Sequence, residues 1–258
     1  MAETNSTPII SLKNISKTFP GVRALDDVTI KVMRGNVHGI VGENGAGKST
    51  LMKILSGVYT KDSGTVEFDG EIVEQTTPIQ SINRGLSIIY QEFNLVNSMS
   101  VGENIFLGRF KEMHGMKGIH AKARELLDSI GCKINTYTMV ADLSVSQKQM
   151  VEIAKALSYN SKLIIMDEPT AALDALAEAE IYENFSELVK GKTSVYISHR
   201  LASTKFCDKI ALFDQDGLKE YGSHQELMNQ KGSYYEMFTI QGKYYNQGGN
   251  VNEQLQEA

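Results

Sequence analysis

GENGAGKST, from Gly42 to Thr50, decides how this chain is read. It fits G-x-x-x-x-G-K-[ST], the pattern of a phosphate-binding loop. Glycine at Gly42, Gly45 and Gly47 lets the backbone bend tightly and turn several N–H groups toward one point. Those groups, with the positive end of a helix behind them, make an anion site. Lys48 would reach the β- and γ-phosphates of a nucleotide, and the Ser49 hydroxyl would ligate Mg2+. Asn44, Ala46 and Thr50 stand in the same loop and count among its cofactor-binding residues. The flanks agree. Val37–Val41 (VHGIV) is short, apolar and β-branched, which predicts a buried strand entering the loop. Leu51, Met52, Ile54 and Leu55 follow helical spacing up to Gly57, a C-cap.

The 258 residues, 41% of them hydrophobic and 22% charged, can build a core for one large domain or two small ones. A net charge of −5 with no Lys/Arg cluster argues against nucleic acid as the partner. Cys132 and Cys207 fit no metal or redox spacing and are expected to be buried, reduced thiols. MAETNSTPII does not read as a signal peptide. No stretch approaches the ~20 apolar residues that span a bilayer, so any membrane crossing would fall to other chains or domains.

In chain order, Ile9–Ser16, Ala24–Val32 and Val37–Val41 read as strands, with a turn over Lys17–Gly21 that carries the aromatic Phe19. Thr65–Phe68, Asp69-Gly70 and Glu71–Val73 form a hairpin signal. A short helix over Pro78–Arg84 leads to the strand Leu86–Tyr90. From residue 95 to 158 helical patterns take over, including Ala121–Ile130 and Ser146–Leu157. Strands return at Leu163–Met166, Thr193–Ile197, Lys209–Phe213 and Gly217–Tyr221, with a helix over Ala175–Val189 between the first two. His224–Asn229 is helical, Ser233–Ile240 gives one more turn, and the tail from Gln241 reads as loose.

Four polar residues close apolar strands. In a parallel α/β sheet the C-terminal strand ends line the ligand crevice. Asp167 there could hold the Mg2+ that bridges the phosphates. Glu168 could orient or deprotonate an attacking water. His199 could hydrogen-bond a γ-phosphate, and Gln91 offers an amide within reach of both metal and water. Three strand tips and one loop thus converge on one phosphate.

The order of these segments resembles an ATP-binding-cassette ATPase over residues 9–240. The carriers are the phosphate loop, Gln91, LSVSQ (Leu143–Gln147), IIMDEPTAALD (Ile164–Asp174) and ISHR (Ile197–Arg200). LSVSQ is similar to the family's signature, usually written LSGGQ, with Val145 and Ser146 in place of the two glycines. The resemblance implies that Ser144, Ser146 and Gln147 cap the γ-phosphate of ATP bound by a partner cassette, in a head-to-tail dimer. It further implies that Phe19 stacks on adenine and that Asp174 communicates between the two sites. Phe93 and the helices after Gln91 would receive a transmembrane permease subunit. Val145 makes the signature turn less permissive, and Ser146 could act as an N-cap.

The implied fold class is α/β: a P-loop NTPase (RecA-like) core with an antiparallel β subdomain and an inserted α-helical subdomain. Residues 1–94 and 159–240 would form the nucleotide-binding core with its β subdomain. Residues 95–158 would form the helical signature subdomain, and 241–258 a flexible tail. The implied function is an ATP- and Mg2+-dependent subunit that energises transport of a sugar or peptide from the cytoplasmic face of the cell membrane. Two subfamilies are involved. KTFPGVRALD, IIYQEFNLV and LSVSQKQMVEIAKAL, within residues 9–170, resemble ribose/galactose-type sugar importers. GKTSVYISHRLAS, CDKIALFDQDG and YGSHQELM, within residues 171–245, resemble peptide or lantibiotic exporters. This contrast implies a chimera joined near Asp167–Asp174, and with it the alternative of a cassette with weak or no transport function.

Overall fold

Strand β7 (Leu163–Asp167) is an unbroken apolar run because both of its faces are covered. Leu163 and Ile165 point into one core, and Ile164 and Met166 into another. The same alternation divides β8 (Thr193–Ser198) and β9 (Lys209–Asp214): Val195, Ile197, Ala211 and Phe213 face one side, Tyr196, Ile210 and Leu212 the other. The computed structural model describes residues 7–168, 192–214 and 217–242. The helix expected over Ala175–Val189, the residue Asp174 and the tail beyond 242 lie outside them.

These strands belong to a six-stranded sheet. Its other members are β3 (Val37–Gly42), β6 (Leu86–Ile89) and β10 (Gly217–Gly222), in the order β10-β9-β3-β8-β7-β6. Five strands run parallel, and β10 pairs antiparallel with β9 at one edge. A second, antiparallel sheet has the order β2-β1-β4-β5, from β1 (Pro8–Phe19), β2 (Val22–Met33), β4 (Ser63–Phe68) and β5 (Glu71–Ile72). The first core lies between the two sheets and includes α1 (Lys48–Leu55). The second lies on the far face of the large sheet, under α5 (Val145–Leu157), α6 (His224–Gln230) and a helix over 233–242.

A third core gathers α3 (Val101–Ile105), α4 (Met116–Ser129) and one face of α5. Helix α5 serves both neighbours: Ile153 and Ala156 pack on the sheet, while Val151 and Ala154 join the helical cluster. The helical stretch enters between β6 and β7, which are adjacent parallel strands.

Several boundaries differ from the sequence reading. Strand β1 does not end at Ser16 but runs through Phe19. Asp62 holds it there, accepting from the Thr18 N–H and from Lys17, both at 2.6 Å. Phe19 is therefore a strand residue, and the turn shrinks to Pro20-Gly21. At the other end Gln241 and Gly242 continue the helix over 233–242 rather than opening a tail. The hairpin turn at Asp69-Gly70 has positive φ at both residues, 55° and 84°, the geometry of a type I′ turn. Asp69 also pairs with Arg34 and with Lys162 (2.5 Å), tying that hairpin to the turn before β3 and to the start of β7. Both cysteines are buried and free.

His38 sits inside β3 at 1% exposure. Its Nε2 accepts from the Met33 N–H at 3.0 Å, and Nδ1 faces the Tyr221 hydroxyl at 3.5 Å. Burial lowers its pKa to about 4, although nearby Asp208 works the other way. The unfolded chain therefore takes up the proton first as pH falls. The contribution of the neutral ring is intact above pH ~6.5 and is lost down to about pH 4, up to about 3 kcal/mol in all. His224, also lowered by burial, acts in the same direction. Urea unfolding between pH 7 and 4.5 should show stability falling, with a shallower slope in His38→Gln. Parallel slopes would contradict the assignment.

Candidate functional site

The phosphate loop connects β3 to α1, and two of its glycines are required by contact as well as by conformation. A Cβ on Gly42 (φ 149°) would stand 2.1 Å from the Phe213 carbonyl oxygen. A Cβ on Gly47 (φ 84°) would stand 2.2 Å from that of Ala24. Gly45, with φ 88°, faces open space. Gly47 is also the N-cap of α1, so the first N–H groups of that helix have no intrahelical acceptor and open onto the loop. Lys48 is buried and its Nζ donates to the carbonyls of Gly42 (2.9 Å) and Glu43 (2.8 Å). Burial lowers the Lys48 pKa, while Glu168 and Asp167 act against that.

An open cleft of about 380 Å³ is lined by Asn44, Gly45, Gly47, Lys48, Ser49, Thr50, Gln91 and Glu168. Two strand tips and the loop thus meet in one place. Asp167 joins them from an adjoining recess that Ser49 and Gln91 also line. Burial raises the Asp167 pKa, and the neighbouring Glu168 charge adds to that; Lys53 and Lys48 oppose it.

Glu168 has φ 47°, in the left-handed region that a glutamate adopts at a cost of order 1–2 kcal/mol. Its N–H donates to the Ile197 carbonyl at 3.1 Å, which fastens the tip of β7 to β8. From that position its carboxylate meets His199 Nδ1 at 3.2 Å. The imidazole side chain is 45% exposed and the carboxylate side chain 15%. With Nδ1 turned to Glu168, Nε2 remains for a further partner.

Phe19 and the LSVSQ residues are not among the cleft's lining. Phe19 packs edge-on against Tyr59, with ring centroids 5.2 Å apart. Ser144, not Ser146, is the N-cap of α5, in a capping box with Gln147: N–H to side chain at 3.2 Å and 3.0 Å. Ser146 is the second helical residue, 3.1 Å from the Ser144 hydroxyl. Val145 takes the first helical position without positive φ, so it does not hinder this turn as the sequence had suggested. One residue next to the site escaped the sequence reading. Gln241 bonds the backbone beside His199. A signal was present: it follows Tyr234, Met237 and Phe238 at helical spacing, a polar residue on a buried stripe.

The family model described as ABC transporter matches residues 25–171. A putative ribose/galactose/methyl galactoside import ATP-binding protein of Geobacillus kaustophilus is 47% identical over 199 residues, which is 75% of this chain and 40% of that protein. A ribose import ATP-binding protein of Clostridium perfringens is 42% identical over 218 residues, 82% of this chain and 43% of that protein. The chain thus spans about two fifths of the length of the curated relatives it matches. Among solved structures, the ADP conformation of an ATP-binding cassette of an ABC transporter gives a TM-score of 0.79 at 27% identity, covering 91% of this chain and 99% of that one. A bacterial Atm1-family ABC exporter with ATP bound gives 0.75 at 30% identity, covering 93% and 43%. A match over 75–82% of the chain cannot be confined to its first 170 residues, and the likeness to an exporter is not confined to the last third. The expected join near Asp167–Asp174 therefore gains no support.

Replacement of the glycines separates conformation from contact. Gly45→Ala should cost only the left-handed backbone, of order 1–2 kcal/mol. Gly47→Ala must also displace the Ala24 carbonyl and should cost clearly more. Urea midpoints give both values, and equal losses would contradict the close approach.

Proposed function

Since the chain belongs to the ABC transporter family, we propose that it is the ATP-binding and hydrolysing subunit that energises a separate transmembrane permease. The observation that carries this is the cleft lined by Lys48, Ser49, Gln91 and Glu168, with Asp167 in the recess beside it and His199 against Glu168. The loop N–H groups and Lys48 would hold the phosphates of ATP. Ser49, Asp167 and Gln91 offer oxygen donors of the kind Mg2+ takes, and all three line one recess. The metal would supply charge neutralisation between the β- and γ-phosphates. Glu168 orients the attacking water and accepts its proton. His199 holds the Glu168 carboxylate through Nδ1 and offers Nε2 to the γ-phosphate.

Phe19 and Tyr59, outside the phosphate cleft, suit the adenine end of the nucleotide. Ser144, Ser146 and Gln147 lie on an exposed helix start and would close on ATP held by a second copy, arranged head to tail. The relatives' names favour import of a pentose or hexose sugar. No helix among the described residues is long and apolar enough to cross a membrane, in keeping with a peripheral subunit at the inner face.

Two outcomes test this reading. At 100-fold excess over its dissociation constant, Mg-ATP should stabilise the protein by ~3 kcal/mol in a thermal melt, and Lys48→Ala should abolish that gain. Glu168→Gln should lower turnover by about 10²- to 10⁴-fold while retaining ATP, and should elute as a dimer with Mg-ATP on gel filtration. Elution as a monomer only would count against the head-to-tail arrangement.

A further inference from the structure

We infer that Gln241 is a positioning residue for His199, its side-chain amide gripping the backbone on both sides of Arg200. The inference rests on the hydrolytic reading above. Gln241 Oε1 accepts from the Leu201 N–H at 2.9 Å, and Nε2 donates to the His199 carbonyl at 3.0 Å. A backbone N–H only donates and a carbonyl only accepts, so this pairing fixes which way the amide points. The peptide groups between are tied from within the turn. The Arg200 N–H donates to Ser198 Oγ at 2.9 Å, and Ser203 Oγ donates to the Arg200 carbonyl at 2.6 Å. The His199 carbonyl and the Leu201 N–H complete the turn's polar backbone, and one side chain takes both.

The grip is firm because the helix bearing it is docked along its length. At its start the Glu220 carboxylate accepts from the N–H groups of Ser233 (2.6 Å) and Tyr234 (3.1 Å). Tyr234 is fully buried in the second core, and its hydroxyl meets His224 Nδ1 at 2.8 Å. Met237 and Phe238 pack on the same core one turn later. Gln241 follows one turn beyond, at the tip of β8.

The imidazole of His199 is half in solvent, and Glu168 is the partner described for it. Its placement is therefore set by the backbone that carries it. Loosening that backbone would degrade the Nδ1–Glu168 contact and the aim of Nε2. Gln241 does not line the phosphate cleft, so the loss should fall on kcat and spare KM for ATP.

The experiment is a cycle of Gln241→Leu and His199→Ala, with Gln241→Glu added because it keeps the acceptor and loses the donor. Gln241→Leu should lower kcat about 10-fold, within what small misplacements cost, with KM unchanged. Gln241→Glu, whose second oxygen would face the His199 carbonyl as acceptor against acceptor, should lose at least as much as Gln241→Leu. In the His199→Ala background Gln241→Leu should cost nothing further. An unchanged kcat, a rise in KM alone, or an equal loss in that background would overturn the assignment. Hydrogen exchange of the Leu201 amide, without nucleotide, reads the clamp directly and should quicken in Gln241→Leu; unchanged exchange would overturn it. Absence of turnover in the wild-type protein would instead sink the hydrolytic reading, and the exchange result would tell the two failures apart.

Discussion

Two glycines seat the phosphate loop against the two sheets of this protein. Gly42 lies against the Phe213 carbonyl on β9, and Gly47 against the Ala24 carbonyl on β2. One contact belongs to the parallel sheet and the other to the antiparallel sheet. Neither position has room for a methyl group, so the loop is wedged between them. The position of the loop thus depends on both sheets at once. Lys48 is fixed by the same wedge, buried and bonded to the first two carbonyls of the loop.

The parallel sheet then brings the polar residues of three strand tips toward that loop. Strands β6, β7 and β8 are in register as neighbours, so their C-terminal tips lie side by side. Gln91, Asp167–Glu168 and His199 follow those tips. Glu168 leaves strand geometry at a left-handed residue, and that departure turns its carboxylate toward His199. Strain at such a position is sustained by the bond from its N–H to Ile197. Burial, with the adjacent Glu168 charge, leaves Asp167 with a raised pKa against the pull of Lys53 and Lys48. A divalent cation held there would favour its ionised form.

The parts legible in the sequence were those with local causes. The phosphate loop shows itself by glycine spacing. Strands β7 and β8 show themselves as apolar runs, because helices and a second sheet cover both faces. Helix α2 (Pro78–Arg84) has its capping Thr77 and Gly85 on either side. Of the parts that were not legible, two had distant causes and one a local one. Lys17–Phe19 stays in the strand because Asp62, 44 residues from Thr18, accepts its N–H. Ser144 takes the N-cap in place of Ser146 because Gln147 completes a capping box that begins at Ser144. Gln241 opens a stretch rich in Asn, Gln and Gly, a composition that reads as tail. Only the fold, joining it to residues 40 and 42 positions earlier, shows it bonded beside His199.

A crystal structure of the Glu168→Gln protein with Mg-ATP is the most direct measurement of the central claim. The account predicts the triphosphate in the Gly42–Thr50 loop, with the metal at Ser49 and Asp167. It also predicts His199 Nε2 within hydrogen-bond reach of the γ-phosphate and the Ser144–Gln147 segment of a second copy opposite it. A nucleotide seated with its γ-phosphate turned away from position 168 and His199 would contradict it.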